Sequence, residues 1–209
     1  MKKLSVIALV FSVLFISCKE KAKEEKVEVV TEKAQVIADA SYSVNSESST
    51  LNWKGFKPTG THNGTVAIKE GVLKVKDGKL TGGKVVFDMN TITVLDIPAD
   101  DEYNAKLVAH LKSGDFFDVE NNSTSTFEIT EIEGETLKGN LTIKAITKPI
   151  QFPVTITNTD SGIKLSGTTF KIDRTEFDIK FKSQKFFNDL KDKFINDEFE
   201  ISFDLSATK

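Results

Sequence analysis

The chain is 209 residues long, 39% hydrophobic and 28% charged, which suits one globular domain with a substantial core plus short accessory segments. A formal charge of −3 makes it a poor nucleic-acid binder, and a single cysteine excludes an intramolecular disulfide. Phenylalanine is the outlier, with 16 residues against one Trp and two Tyr, most of them inside alternating segments, which points to a β core lined with rings.

At the amino terminus, Met1-Lys2-Lys3 precede an apolar run from Leu4 to Ile16, and Ser17 stands ahead of Cys18. Two lysines before so short a run describe a secretory signal, because a spanning helix needs about 20 apolar residues. A small residue directly before Cys resembles the bacterial lipobox, in which the Cys is acylated and becomes the new amino terminus; Phe15 stands where the lipobox usually has Leu. The expectation is a signal peptide over residues 1–17, lipidation at Cys18, and an exported protein anchored by lipid in a bacterial cell envelope, periplasmic or associated with the outer membrane. Residues 18–40 are charge-rich and lack Gly and aromatics, so they read as a solvated tether to a folded domain over residues 41–209.

From Tyr42 the pattern changes to short alternating runs broken by Gly, Asn and Asp. Runs near residues 42–47, 50–56, 62–68, 71–76, 79–94, 124–133, 136–145, 148–158, 162–173 and 198–207 read as antiparallel strands, with Lys69-Glu70-Gly71 and Lys76-Asp77-Gly78 as turns. Period-two alternation, as in Val85, Phe87 and Met89 or Phe199, Ile201, Phe203 and Leu205, means one buried face and one wet face. So many strands are most simply accommodated by closure into an all-β antiparallel barrel of about eight, whose interior is either filled by side chains or left open for one small ligand. Between residues 163–165 and 170–172 the apolar phase shifts from odd to even, which predicts a bulge near Gly167.

Two segments break the β pattern and predict two short helices. The first runs from about residue 98 to 113, with Asp96 as candidate cap, Pro98 near the first turn, and Tyr103, Leu107 and Leu111 on one face. It stops at Ser113-Gly114, with Lys112 suiting the negative end of the dipole, and leads into Phe116-Phe117, which must dock at least one ring. The second runs from Ser183 to about Ile195 and sets Phe186, Phe187, Leu190 and Phe194 along one stripe, a candidate lid over a barrel mouth.

Catalytic and metal chemistry finds no constellation here. His62 and His110 are the only histidines and lie in different contexts, nothing has metal-ligand spacing once Cys18 is acylated, and there is no Gly-x-Ser-x-Gly elbow or phosphate-cradling loop. His110, beside Leu111, reads as a structural anchor against the barrel. Arg174, amid apolar strand residues, is either a buried charge that needs a partner or the tip of the bulge, and the role of His62 stays open.

The run HLKSGDFFDV from His110 to Val119, followed by a polar turn and TSTFEI, closely resembles the HLKSxDFFDVxxxPxxxF signature of the YceI-like family, lipid- or polyisoprenoid-binding proteins with an extended lipocalin-like barrel. Three weaker matches follow in order over residues 42–207. The opening from Tyr42 to Trp53 resembles Y-x-x-D-x-x-H-S-x-x-x-F, with Asn45, Ser48 and Trp53 replacing Asp, His and Phe. Gly139 to Pro149 resembles G-x-L-T-I-x-G-V-T-K-P with Ala145 for Gly, and Arg174-Thr-Glu-Phe177-Asp178 resembles R-x-x-F-G with Asp178 for Gly. Ahead of His110, Leu107 and Val108 stand where the family commonly has R-D, so the resemblance does not carry over the family's charge network around His110.

From composition alone the rings simply pack on one another. The resemblance implies instead a barrel interior that holds an apolar lipid, such as a polyisoprenoid or isoprenoid quinone, without catalysis and without a cofactor. The candidate wall is then Trp53, Phe87, Phe116, Phe117, Phe127, Phe152, Phe170, Phe177, Phe199 and Phe203. The competing reading is a structural or interaction protein of the envelope whose barrel is filled.

Overall fold

The computed structural model describes residues 40–209; the expected signal peptide, Cys18 and the tether up to residue 39 lie outside the described residues. Nine antiparallel strands follow in order: β1 (Ala40–Val44), β2 (Thr50–Lys57), β3 (Gly60–Lys76), β4 (Lys79–Asp88), β5 (Thr124–Glu133), β6 (Thr136–Ile143), β7 (Ile146–Asn158), β8 (Gly162–Asp173) and β9 (Glu198–Thr208). One α-helix, α1 (Glu102–Lys112), lies between β4 and β5.

Strands β2 to β9 close into an eight-position barrel, because β3 pairs with β4 and β2 with β9. Strand β1 takes no position of its own. It pairs with Val72–Val75 of β3 and Ala207–Thr208 of β9, while β2 pairs with Gly60–Val66 and Glu200–Asp204 of the same two strands. The two therefore lie end to end in one slot. Asn45 makes the step between them, its Oδ1 accepting from the amides of Glu47 and Ser48 at 3.0 Å.

The period-two pattern works as expected: in β6 the residues at Leu137, Gly139, Leu141 and Ile143 are buried and those between them are not. The bulge after Gly167 is present as a register shift before Phe170. A Cβ at Gly167 would lie 2.2 Å from the Phe203 ring, so the glycine admits a ring crossing from β9.

Three expectations need correction. Lys69-Glu70-Gly71 is no turn but a bulge within β3, where Lys69 and Glu70 point outward and a Cβ on Gly71 would lie 2.7 Å from Val44 of β1. The polar run marks a wet outer face and the glycine a close strand contact. Helix α1 begins later than expected: Asp101, not Asp96, accepts from the Tyr103 amide at 2.8 Å as its N-cap. Its buried face is Asn104 and Leu111, whereas Tyr103 is 63% exposed. The helix does end as predicted, with Ser113 as C-cap.

The second predicted helix does not form. Residues 183–195 are turns with one short 3-10 turn at Lys191–Lys193. Asp189 and Lys191 have φ of 59° and 51°, and Lys182 just upstream has 49°, so the right-handed ladder is interrupted repeatedly. Ser183 is fully buried, and its carbonyl accepts from the amides of Phe186 and Phe187, curling the chain into a tight local loop.

Candidate ligand-binding site

The two barrel ends differ. One is closed by tight links between β3 and β4, β5 and β6, and β7 and β8. The other carries two long connections, residues 89–123 with α1 and residues 174–197. Beneath these connections lies an interior cavity of about 160 Å³. Leu111, Phe116 and Phe117 contribute to its wall from the first connection, and Ile179, Ile195 and Asn196 from the second. Tyr42, Leu73, Val75 and Leu80, buried toward the tight end, take no part in it.

The strands supply the deeper wall. Phe152 of β7 is the hub of the rings: it stacks on Phe170 at 4.2 Å and 5°, meets Phe127 at 5.3 Å and stands edge-on to Phe203 at 5.6 Å. These four residues come from β5, β7, β8 and β9, and offset or edge-on contacts of this kind add stability beyond area alone. Trp53, Phe87 and Phe199 complete the aromatic part, while Leu51, Val85, Leu137 and Leu165 fill the spaces between.

Nine of the ten rings proposed from sequence thus stand on the cavity wall. Phe177 does not. It is 2% exposed but sits on a 3-10 turn, Arg174–Phe177, which leaves the strand alternation and turns the ring into the packing outside the cavity. Of the proposed lid, Phe186, Phe187, Leu190 and Phe194 all lie off the cavity wall, with Phe186 and Phe187 about half exposed at 49% and 48%.

Polar groups on the wall are few. Ser125 is buried, and the Trp53 indole N–H is buried without a hydrogen-bond partner among the described residues. Trp53 pairs with Gly64 across β2 and β3, and its Nε1 stands 2.9 Å from where a Gly64 Cβ would lie, so the indole rests on backbone that only glycine leaves bare.

Arg174 resolves as a buried charge with partners. Its guanidinium donates to the carbonyls of Ile179 at 2.6 Å, Ile195 at 3.0 Å and Asn196 at 3.0 Å, and to Asp197 at 3.4 Å. Burial pulls its pKa down, and Asp197 and Asp173 oppose that, so it stays a cation that ties both ends of the second connection together. Asp173 accepts from the Thr175 amide and from Lys185; partial burial would raise its carboxyl, but these hydrogen bonds outweigh burial and hold it below the usual range.

His110 joins the two connections. Its ring stands edge-on to Phe116 at 5.0 Å and to Phe181 at 4.7 Å, and its Nε2 lies 3.1 Å from Asp115. His62 pairs with Asp96 at 2.8 Å, and Asp96 also accepts from the Asn63 amide. Burial acts to raise the Asp96 carboxyl, yet the Asn63 and His62 bonds prevail and lower it. Asp96 is thus a latch for the first connection on β3 and not the cap of α1. Both histidines flank one shallow surface cleft, and among the described residues no three His, Asp or Glu side chains are placed to share a metal.

The sequence reading missed Asn104, whose side chain donates to the carbonyls of Val94 and Ile97, and Phe181, which receives His110. Its signal for Phe181 was the alternation Ile179-Lys180-Phe181-Lys182, too short to separate from a turn.

The sequence pattern of the YceI-like domain matches residues 42–207, almost all of the described barrel. The chain belongs to the YceI-like family. A UPF0312 protein of Pseudomonas aeruginosa is 39% identical over 71 residues, which is 32% of this chain and 34% of that protein. A UPF0312 protein of Serratia proteamaculans is 38% identical over the same length. The chain therefore spans about a third of the length of the curated relatives it matches. Among solved structures, BcnA of Burkholderia cenocepacia superposes with a TM-score of 0.58 at 19% identity, covering 78% of this chain and 98% of that one. A polyisoprenoid-binding domain from Saccharophagus degradans gives 0.58 at 14% identity, covering 80% and 97%. These likenesses place the YceI-like barrel fold on this chain.

Proposed function

We propose that this protein is a non-catalytic carrier that holds one apolar lipid, an isoprenoid chain or quinone, inside its barrel, and that acylated Cys18 anchors it to a membrane of the cell envelope. The observation that carries the reading is the cavity of about 160 Å³, walled by aromatic and aliphatic side chains beneath two long connections. An apolar void of that order stays dry, and leaving it empty costs on the order of 4 kcal/mol at about 24 cal/mol per Å³. A void of that order takes a benzene-sized group, so it admits one end of such a lipid, which recovers the lost contacts. The unpartnered Trp53 N–H favours a lipid that carries a hydrogen-bond acceptor, as a quinone does. The shared fold with the polyisoprenoid-binding domain of Saccharophagus degradans supports the same ligand class. Support for the anchor is Lys2-Lys3, the short apolar run and Ser17 before Cys18.

The test is extraction of the purified full chain with organic solvent and mass spectrometry of the extract. One long apolar lipid per protein is expected. Trp53, the only tryptophan, reports binding directly, and its emission should be quenched by an added isoprenoid quinone. A lipid-free protein whose Trp53 emission does not respond would overturn the carrier reading and leave the filled structural barrel. The anchor is tested separately by intact mass, which should show loss of residues 1–17 and added acyl chains.

A further inference from the structure

Five large apolar side chains are strongly exposed among the described residues: Val72, Leu95, Tyr103, Phe186 and Phe187. Four of them sit on the two long connections at the cavity end, and only Val72 lies on the wall near the tight end. Large exposed rings on a soluble surface call for a partner. Phe186 and Phe187 are adjacent, and the loop that carries them is shaped to present them: Ser183 is fully buried at its base, and both ring-bearing amides bond back to the Ser183 carbonyl.

The loop carries an excess of positive charge. Residues 180–194 contain five lysines against Asp189 and Asp192, although the whole chain carries −3. Lys180 is engaged with Asp178, Lys185 with Asp173 and Lys148 with Glu176, so the excess that remains in the loop is Lys182, Lys191 and Lys193 against Asp189 and Asp192. Lys182, Lys191 and Lys193 make no ion pair among the described residues, and Lys180 lies 5.2 Å over the Phe186 ring. Exposed rings in a lysine-rich loop are the chemistry of a bilayer interface, where rings enter the headgroup boundary and ammonium groups meet anionic lipid.

We propose that the loop of residues 183–193 is a second membrane contact, independent of Cys18, in which Phe186 and Phe187 insert into an anionic bilayer surface while Lys182, Lys191 and Lys193 hold its headgroups. Because Ile195 and Asn196, a few residues on, stand on the cavity wall, this contact turns the cavity end of the barrel toward the bilayer. It stands whether or not the cavity holds lipid.

The test uses the full chain on vesicles of phosphatidylcholine with one part in three phosphatidylglycerol, a portion of the lipid brominated along its acyl chains. An indole is introduced as F187W, and separately as F186W, with wild-type Trp53 and V72W as references. The F187W and F186W proteins should show a blue shift and strong quenching by brominated lipid, whereas wild type and V72W should show neither. K191Q/K193Q in the F187W background should weaken that quenching roughly fivefold per lysine at low salt. Quenching absent from both loop variants, or equal in V72W, overturns the proposal. So does a blue shift that appears without vesicles and grows with protein concentration, which would assign the face to a second copy of the chain. Lipid extraction and the response of Trp53 to quinone read the cavity alone, so failure of the loop contact and failure of the carrier reading are separately visible.

Discussion

The imidazole of His110 on α1 stands perpendicular to the ring of Phe181, 4.7 Å away and on the other long connection. With Phe116 at 5.0 Å it forms a three-ring clasp over the cavity, the point at which the two connections meet.

Replacing His110 with Ala should loosen that clasp. Edge-on ring contacts are each worth about 0.5–1.5 kcal/mol, so His110→Ala should destabilise the fold by about 1–2 kcal/mol in denaturant unfolding. The amount of lipid per folded protein should be nearly unchanged, because His110 is not on the cavity wall. Loss of lipid at unaltered stability would show instead that the residue touches the ligand.

The hairpin between β6 and β7 turns on Lys144 and Ala145, with φ of 48° and 58°. A two-residue turn with both residues left-handed favours glycine, which pays no steric cost there. Ala145→Gly should therefore stabilise the protein by about 1 kcal/mol, seen as a higher midpoint in urea at unchanged slope. A lower midpoint would mean the turn residue is held by something other than its backbone.

Trp53→Phe removes a buried donor that has no partner among the described residues. An unsatisfied buried donor costs about 1–3 kcal/mol, so the lipid-free variant should lose little stability despite its smaller ring. Its affinity for an isoprenoid quinone should fall by about tenfold if the quinone oxygen meets the indole. Equal affinities would remove the acceptor from the description of the ligand.

Asp173 has a folded pKa below its unfolded value of about 3.9. Its contribution to stability is therefore complete above that value and disappears as pH falls through the folded value. The melting temperature of Asp173→Asn should lie below wild type at pH 6, and the gap should close as pH is lowered from about 4 toward 2. A constant gap across that range would assign the effect to packing and not to the carboxylate's bonds with Thr175 and Lys185.

Most of the barrel was legible because period two is a robust signal when one face is buried. Phe152 and Val154, or Ile201, Phe203 and Leu205, mark the inner face whatever the strands pair with. Even the bulge after Gly167 shows as a phase change. The second connection was illegible for the opposite reason. Phe186, Phe187, Leu190 and Phe194 have helical spacing, but Asp189 and Lys191 adopt left-handed backbone that no residue type there announces. The candidate wall was read from rings alone, so it took in Phe177, which a 3-10 turn removes, and passed over Leu141, Ile150 and Ile195, which stand on the cavity. The partners of Arg174 are mostly backbone carbonyls, and carbonyl positions are invisible in residue identities.

Strand β9 pairs with β8 on one side and with both β1 and β2 on the other. Closure of the ring therefore waits for residues 198–208, the last of the barrel strands in chain order. Until they arrive, the inward faces of seven earlier barrel strands form an open curved sheet with two unpaired edges, one of them the long rim of β8. Such edges and the apolar face between them are where a partly folded chain aggregates, so the molecule's most vulnerable moment is the interval before β9 docks. Peptides copied from β9 should compete for that open seam, and removing the strand should convert a closed barrel into a sticky sheet.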